Sequence, residues 1–153
     1  MENGIIFHNS ILDVVFVAWF LAQFYKVVRS LVTEKKFILK RFVETGGMPS
    51  SHSSTVSALT TAVGIVYGTA TPFFAISAVF AIIVMHDAAG IRRAAGKQAG
   101  VLNRLASSLS NIFDKRFDEE ELKEYLGHSP VEVMVGCILG IVVAFAMKFH
   151  LMG

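Results

Sequence analysis

Three short strings in this chain carry residue types whose spacing could do chemistry. The first is Gly46-Gly47-Met48-Pro49-Ser50-Ser51-His52-Ser53-Ser54. Two glycines and a proline mark a tight turn, and the serines suit the cap of a helix that follows. A helix N-terminus offers backbone N–H groups and a favourable dipole to an anion, most naturally a phosphate. His52, in the first turn of that helix, is positioned to donate a proton to a leaving oxygen. The second string is His128-Ser129-Pro130-Val131-Glu132. Pro130 suits a first helical turn, and Ser129 with Glu132 has the spacing of a capping box. The same carboxylate can reach back to the His128 imidazole and hold one tautomer. The third string is His86-Asp87-Ala88-Ala89-Gly90-Ile91-Arg92-Arg93-Ala94-Ala95-Gly96-Lys97-Gln98. On a helix, His86, Gly90, Arg93 and Lys97 share one face.

Each string also has a plain structural explanation. The first is a capped membrane helix with an incidental histidine. The second needs Glu132 only as a cap. In the third, paired basic residues after an apolar run are a stop signal for a membrane span. Against this last explanation, the glycines and Asp87 at a membrane edge suggest a cavity, and ionisable groups at that depth are functional candidates.

The elements that must position these residues follow from composition. Of the 153 residues, 54% are hydrophobic and only 17% are charged, against about a quarter charged in soluble domains. Mean hydropathy is +0.58. This is the composition of an integral membrane protein. It excludes a disordered chain. A net charge of +2, with basic residues flanking apolar runs, argues against a nucleic-acid partner and for membrane lipids. The single cysteine, Cys137, rules out an intramolecular disulfide and a thiolate metal cluster. The length allows one membrane-embedded domain over 1–153.

A helix needs about 20 mostly apolar residues to cross a bilayer. Four stretches approach this: Ile5 to Val28, Ser53 to Gly68, Pro72 to Met85 and Val131 to Phe149. The expected fold is therefore an all-α membrane bundle of about four embedded helices. The first stretch lacks the basic start and cleavage site of a signal peptide. The second is rich in Ser, Thr and Gly, and whether it crosses fully is open. Of 14 Lys and Arg, five lie within 29–50 and seven within 92–127. Four spans put both segments on one side, and the positive-inside rule makes that side cytoplasmic. Between the last two spans, Val101, Leu105, Leu109 and Ile112 repeat at helical spacing, which reads as an amphipathic helix at the membrane face or against the bundle. Asp118 with Glu121 then resembles a further helix start. Gly64-x-x-x-Gly68 and Gly136-x-x-x-Gly140 allow close backbone approach. They serve packing before dimerisation, and a homodimer stays open.

In the four-span arrangement His52, Asp87, Arg92, Arg93 and His128 all lie at cytoplasmic helix ends. They can meet in one pocket, with cations for a phosphate, one histidine as nucleophile and another as acid.

These residues resemble a known superfamily. Pro49-Ser50-Ser51-His52 is similar to the P-S-G-H motif of the type 2 phosphatidic acid phosphatases, which are related to vanadium-dependent haloperoxidases. His128-x-x-x-Glu132 resembles their H-x-x-x-D element, with Glu replacing Asp. Gly47-Met-Pro-Ser-Ser-His-Ser, the string from Asp87 to Ala99 and Leu126-Gly-His-Ser-Pro-Val-Glu-Val resemble a divergent branch of that superfamily over nearly the whole chain. The resemblance implies metal-independent cleavage, without a cofactor, of a lipid phosphate or prenyl diphosphate. It implies that His128 attacks phosphorus, Glu132 orients it and His52 protonates the leaving group. Basic residues and the amides of Ser50 and Ser51 would hold the phosphate oxygens.

The chain departs from the pattern at the cations. Lys26 and Lys36 are followed seven residues later by Thr33 and Val43 rather than by the family's arginine. Leu122 stands six before His128, where another arginine is expected. Arg92 and Arg93 are the expected replacements, with Lys97 and Asp87 nearby and Lys26, Lys40 or Arg41 as the lysine. Two alternatives accompany the phosphatase reading. One is a non-catalytic lipid-phosphate-binding scaffold; the other is a channel or transporter lined by Asp13, Gln23 and Lys26.

Overall fold

The computed structural model describes residues 4–34, 47–113 and 127–152. Lys40 and Arg41 lie outside the described residues, as do Asp118, Glu121 and Leu122. The order of elements is α1 (Ser10–Glu34), α2 (Ser51–Tyr67), α3 (Pro72–His86), a π-turn (Asp87–Ile91), α4 (Arg92–Phe113), α5 (Pro130–Ala146) and α6 (Lys148–Met152). The fold is an all-α membrane bundle. Two stretches, Ser10–Val32 and Pro72–Leu109, are long and apolar enough to cross a bilayer, and Pro130–Ala146 is shorter.

The packing is inverted relative to a soluble core. Large apolar side chains such as Phe73, Ile76, Phe80, Ile83, Ile138 and Phe145 face outward. The buried cluster is built mainly from Val14, Ala18, Ala58, Ala62, Val143, Ala144 and Leu151. Lipid removes the hydrophobic drive between helices, so association rests on close packing of small residues and on hydrogen bonds. Helix α2 sits centrally, against α1, α3 and α5. Its Ser and Thr content, which weakens it as an isolated span, is what this position needs. Ser54 Oγ donates to Ala18 O, Ser57 Oγ to Cys137 O and Thr60 Oγ1 to Ser77 O, one bond to each neighbour.

The two glycine pairs act differently. A Cβ at Gly136 would collide with the Ser50 carbonyl, and one at Gly140 with the Ser54 carbonyl and the Ser57 hydroxyl. Both therefore set the α2–α5 approach within the chain. Gly64 faces the Phe74 ring across the α2–α3 hairpin, and Gly68 caps α2.

At the end of the bundle remote from His52, the buried Asp13 carboxylate accepts N–H groups from Ile5, Ile6 and Phe7. It also meets His150 Nε2 at 3.2 Å. Asp13 thus pins the N-terminal segment to α6.

Helix α3 does not stop at His86. It runs through the π-turn into α4, and the wider turn shifts the register that follows. His86 and Lys97 consequently do not share the straight α-helical face that their spacing predicts. Val101, Leu102, Leu105 and Leu109 are exposed, so the apolar stripe of α4 is not packed on the bundle.

The glycine assignment predicts an asymmetry measurable by thermal unfolding in detergent. Gly140→Val should cost about 3 kcal/mol, near the upper end of overpacking penalties. Gly90→Ala should raise the midpoint slightly, because a Cβ there meets only His86 Cε1 at 3.8 Å and Ala lowers the entropy lost on folding.

Candidate active site

The site lies where the N-termini of α2 and α5 meet. Gly127, at φ 89°, turns the chain into α5 in a conformation that favours glycine. Ser129 caps α5 by accepting the Glu132 N–H, and Glu132 Oε2 accepts the Ser129 N–H at 2.9 Å. The same Oε2 lies 3.2 Å from His128 Nδ1. Capping and imidazole contact therefore coexist on one oxygen. With Nδ1 directed at the carboxylate, Nε2 lies on the opposite edge of the ring. His128 is only 3% exposed, and its own N–H donates to Ala88 O at 2.8 Å. That bond ties the π-turn to the segment that opens α5.

Ser50 is the N-cap of α2. Its Oγ accepts the Ser53 N–H and the Ser53 hydroxyl. Its own N–H, expected at a phosphate oxygen, donates instead to Glu132 O at 3.0 Å. This is a correction: the Ser50 amide is spent joining α2 to α5. The next two amides, of Ser51 and His52, are those a helix cannot pair internally. The His52 and His128 rings face each other with centroids 6.0 Å apart and planes at 62°.

A cation enters from α1. Lys26 is 7% exposed, and its Nζ lies 3.4 Å from Ser51 Oγ. An ammonium on an apolar span is costly unless it faces the bundle interior or a partner, and Lys26 does both. One turn deeper, Gln23 is buried and its Oε1 has no hydrogen-bond partner. In sequence Gln23 reads as an interruption of the first span; only its burial distinguishes it.

The structure thus brings together His52, His128, Glu132, Ser50, Ser51 and Lys26. Arg93 and Lys97 are exposed on α4. Arg92 opens α4 directly after the π-turn, and its side chain lies outside the described residues. Among the described residues, no group of three or more His, Cys, Asp or Glu side chains is placed to hold a metal ion.

The two roles of Glu132 separate on substitution. Glu132→Gln should leave unfolding within about 0.5 kcal/mol of wild type, since Gln also closes a capping box, while Glu132→Ala loses about 1 kcal/mol. Imidazole nitrogen NMR should nevertheless report a changed His128 tautomer balance in Glu132→Gln.

Residues 7–143 match the Divergent PAP2 family. The chain is 39% identical over 140 residues to the uncharacterized membrane protein YuiD of Bacillus subtilis (strain 168), an alignment covering 86% of this chain and 89% of that protein. No solved structure matches. The paired histidines at two helix N-termini and the match over most of the chain agree: this protein belongs to the Divergent PAP2 family.

Proposed function

We propose that the protein is a membrane phosphatase that hydrolyses a lipid phosphate or diphosphate, prenyl or glycerolipid, through a phosphohistidine. The observation that carries this reading is the pair His52 and His128, 6.0 Å apart at the opening of α2, with His128 Nδ1 held by Glu132. A nucleophile needs about 3–3.5 Å to phosphorus before attack, and an acid about 2.6–3.2 Å to the leaving oxygen. With ring centroids 6.0 Å apart, the two imidazoles border one site, which supports a shared role on a single phosphoryl group.

His128 Nε2 attacks phosphorus while the bond to the lipid oxygen breaks. Protonated His52 gives its proton to that oxygen, releasing an alcohol or, from a diphosphate, a lipid monophosphate. Glu132 stabilises the positive charge that develops on the His128 ring. Water then attacks the phosphohistidine, His52 takes its proton, and the P–N bond breaks to release inorganic phosphate. Lys26 and the amides of Ser51 and His52 stabilise the equatorial oxygens. Arg92 or Arg93 supplies the guanidinium that the family pattern places elsewhere, and Asp87 orients it. Lys97 adds positive charge for the headgroup. The positive-inside pattern supports a cytoplasmic active site in the cell membrane.

Phosphate release from purified protein, against prenyl and glycerolipid phosphates and diphosphates, tests this. His128→Ala should abolish turnover on every substrate and remove an acid-labile labelled phosphoenzyme. His52→Gln should slow alkyl phosphates about 10²–10⁴-fold, the range of general acid catalysis. It should slow an aryl phosphate far less, because an acidic phenol leaves without a proton. Wild type indistinguishable from His128→Ala overturns the reading. Phosphate binding without a trapped phosphoenzyme would identify a non-catalytic lipid-phosphate scaffold.

A further inference from the structure

Away from the histidines, α2 and α3 enclose an apolar groove of about 250 Å³. Leu59, Val63 and Tyr67 line it from α2, and Phe73, Ile76 and Phe80 from α3. Ser77 also borders it, but its hydroxyl is spent on Phe74 O and its carbonyl on the Thr60 hydroxyl. The groove therefore asks for no polar partner.

Helical register connects this groove to the active site on both walls. At about 100° per residue, Leu59 and Val63 project within about 20° of His52 on α2. On α3, Phe73, Phe80 and Asp87 follow at intervals of seven, which keeps them within about 40° of one another. The α2 wall thus runs along one helix face to His52, and the α3 wall to Asp87 at the start of the π-turn, whose Ala88 carbonyl meets the His128 N–H. At 1.5 Å per residue, the lining begins about 10 Å from His52 and ends about 22 Å away. The volume falls below the roughly 300–1,000 Å³ of pockets that enclose whole drug-sized ligands. It suits a single chain.

We propose that this α2–α3 groove holds the apolar tail of the substrate whose phosphate sits between His52 and His128, and that it accepts one chain. The proposal rests on the phosphatase reading for the position of the headgroup. It adds a substrate class, single-chain lipid phosphates, and names the residues that select it. Leu59 and Val63 form the wall nearer the headgroup, and the aromatic rings of Phe73 and Tyr67 close the far end. A two-chain glycerolipid leaves its second chain outside the groove.

A farnesyl phosphate carrying a diazirine at its far end tests this on the full-length protein in nanodiscs, beside the same probe as the neutral alcohol. After illumination, mass spectrometry should find the phosphate probe on α2 and α3 peptides around Val63 and Phe80. Labelling there should fall about tenfold for the alcohol, as for loss of a charge-assisted contact, and similarly when vanadate competes. Leu59→Trp and the lipid-exposed Ile76→Trp should each reduce labelling. Both should raise KM for farnesyl phosphate while leaving a short water-soluble phosphate unaffected. Ile76→Trp keeps the test valid if Leu59→Trp does not fold. Equal labelling by phosphate and alcohol, insensitive to vanadate, overturns the proposal and assigns the groove to bilayer lipid. If no phosphoenzyme forms yet labelling depends on phosphate, the groove stands and catalysis falls. If the phosphoenzyme forms and labelling ignores phosphate, only the groove falls.

Discussion

The junction of α2 and α5 at Glu132 is the constraint on which the rest of the site depends. One residue makes three connections there: its carbonyl takes the Ser50 N–H, and its Oε2 takes the Ser129 N–H and faces His128 Nδ1. Two helix N-termini are thereby locked side by side, with their dipoles converging on the space before the histidines. This approach is possible only because Gly136 and Gly140 let the α5 backbone lie against Ser50 and Ser54. A side chain at either position would separate the helices and, with them, the two imidazoles.

The lipid surroundings explain why so many serines line this junction. Between helices already in hydrocarbon, burying another leucine gains little, whereas small residues and satisfied hydroxyls gain contact. Ser50, Ser53, Ser54 and Ser57 are all buried, and each has a hydrogen-bond partner within the bundle. The same reasoning makes Lys26 and Gln23 conspicuous. Both are buried polar groups on a span whose outward face is a ladder of aromatic rings, Phe16, Phe20 and Phe24. Within the helix, Asp13, Gln23, Lys26 and Ser30 are buried toward the bundle, and Lys26 and Gln23 lie on the side a phosphate would need.

Much of the arrangement was legible in the residue order. The all-α membrane fold followed from apolar run lengths, and the capping box from the spacing of Ser129 and Glu132. The P-S-S-H and H-x-x-x-E strings marked the histidines that meet. Other features were not legible for physical reasons. The π-turn at Asp87–Ile91 alters helical register without a proline or similar marker in its sequence. A backbone donor reveals nothing of its partner in sequence, so the engagement of the Ser50 amide by Glu132 could not be anticipated. Asp13 and Lys26 look alike as ionisable interruptions of one span, yet they lie at opposite ends of α1 and do different work.

What the sequence by itself determined is which helices form, which of their faces are small and polar, and which strings resemble those of the phosphatase superfamily. These are local properties, set by periodicity, capping and composition. The tertiary structure decided that Lys26 is buried against Ser51, while Arg93 and Lys97 are exposed. It also decided that the α2 serines face three different helices. Those outcomes depend on how closely helices approach one another, a distance set jointly by residues far apart in the chain, and no local pattern encodes it.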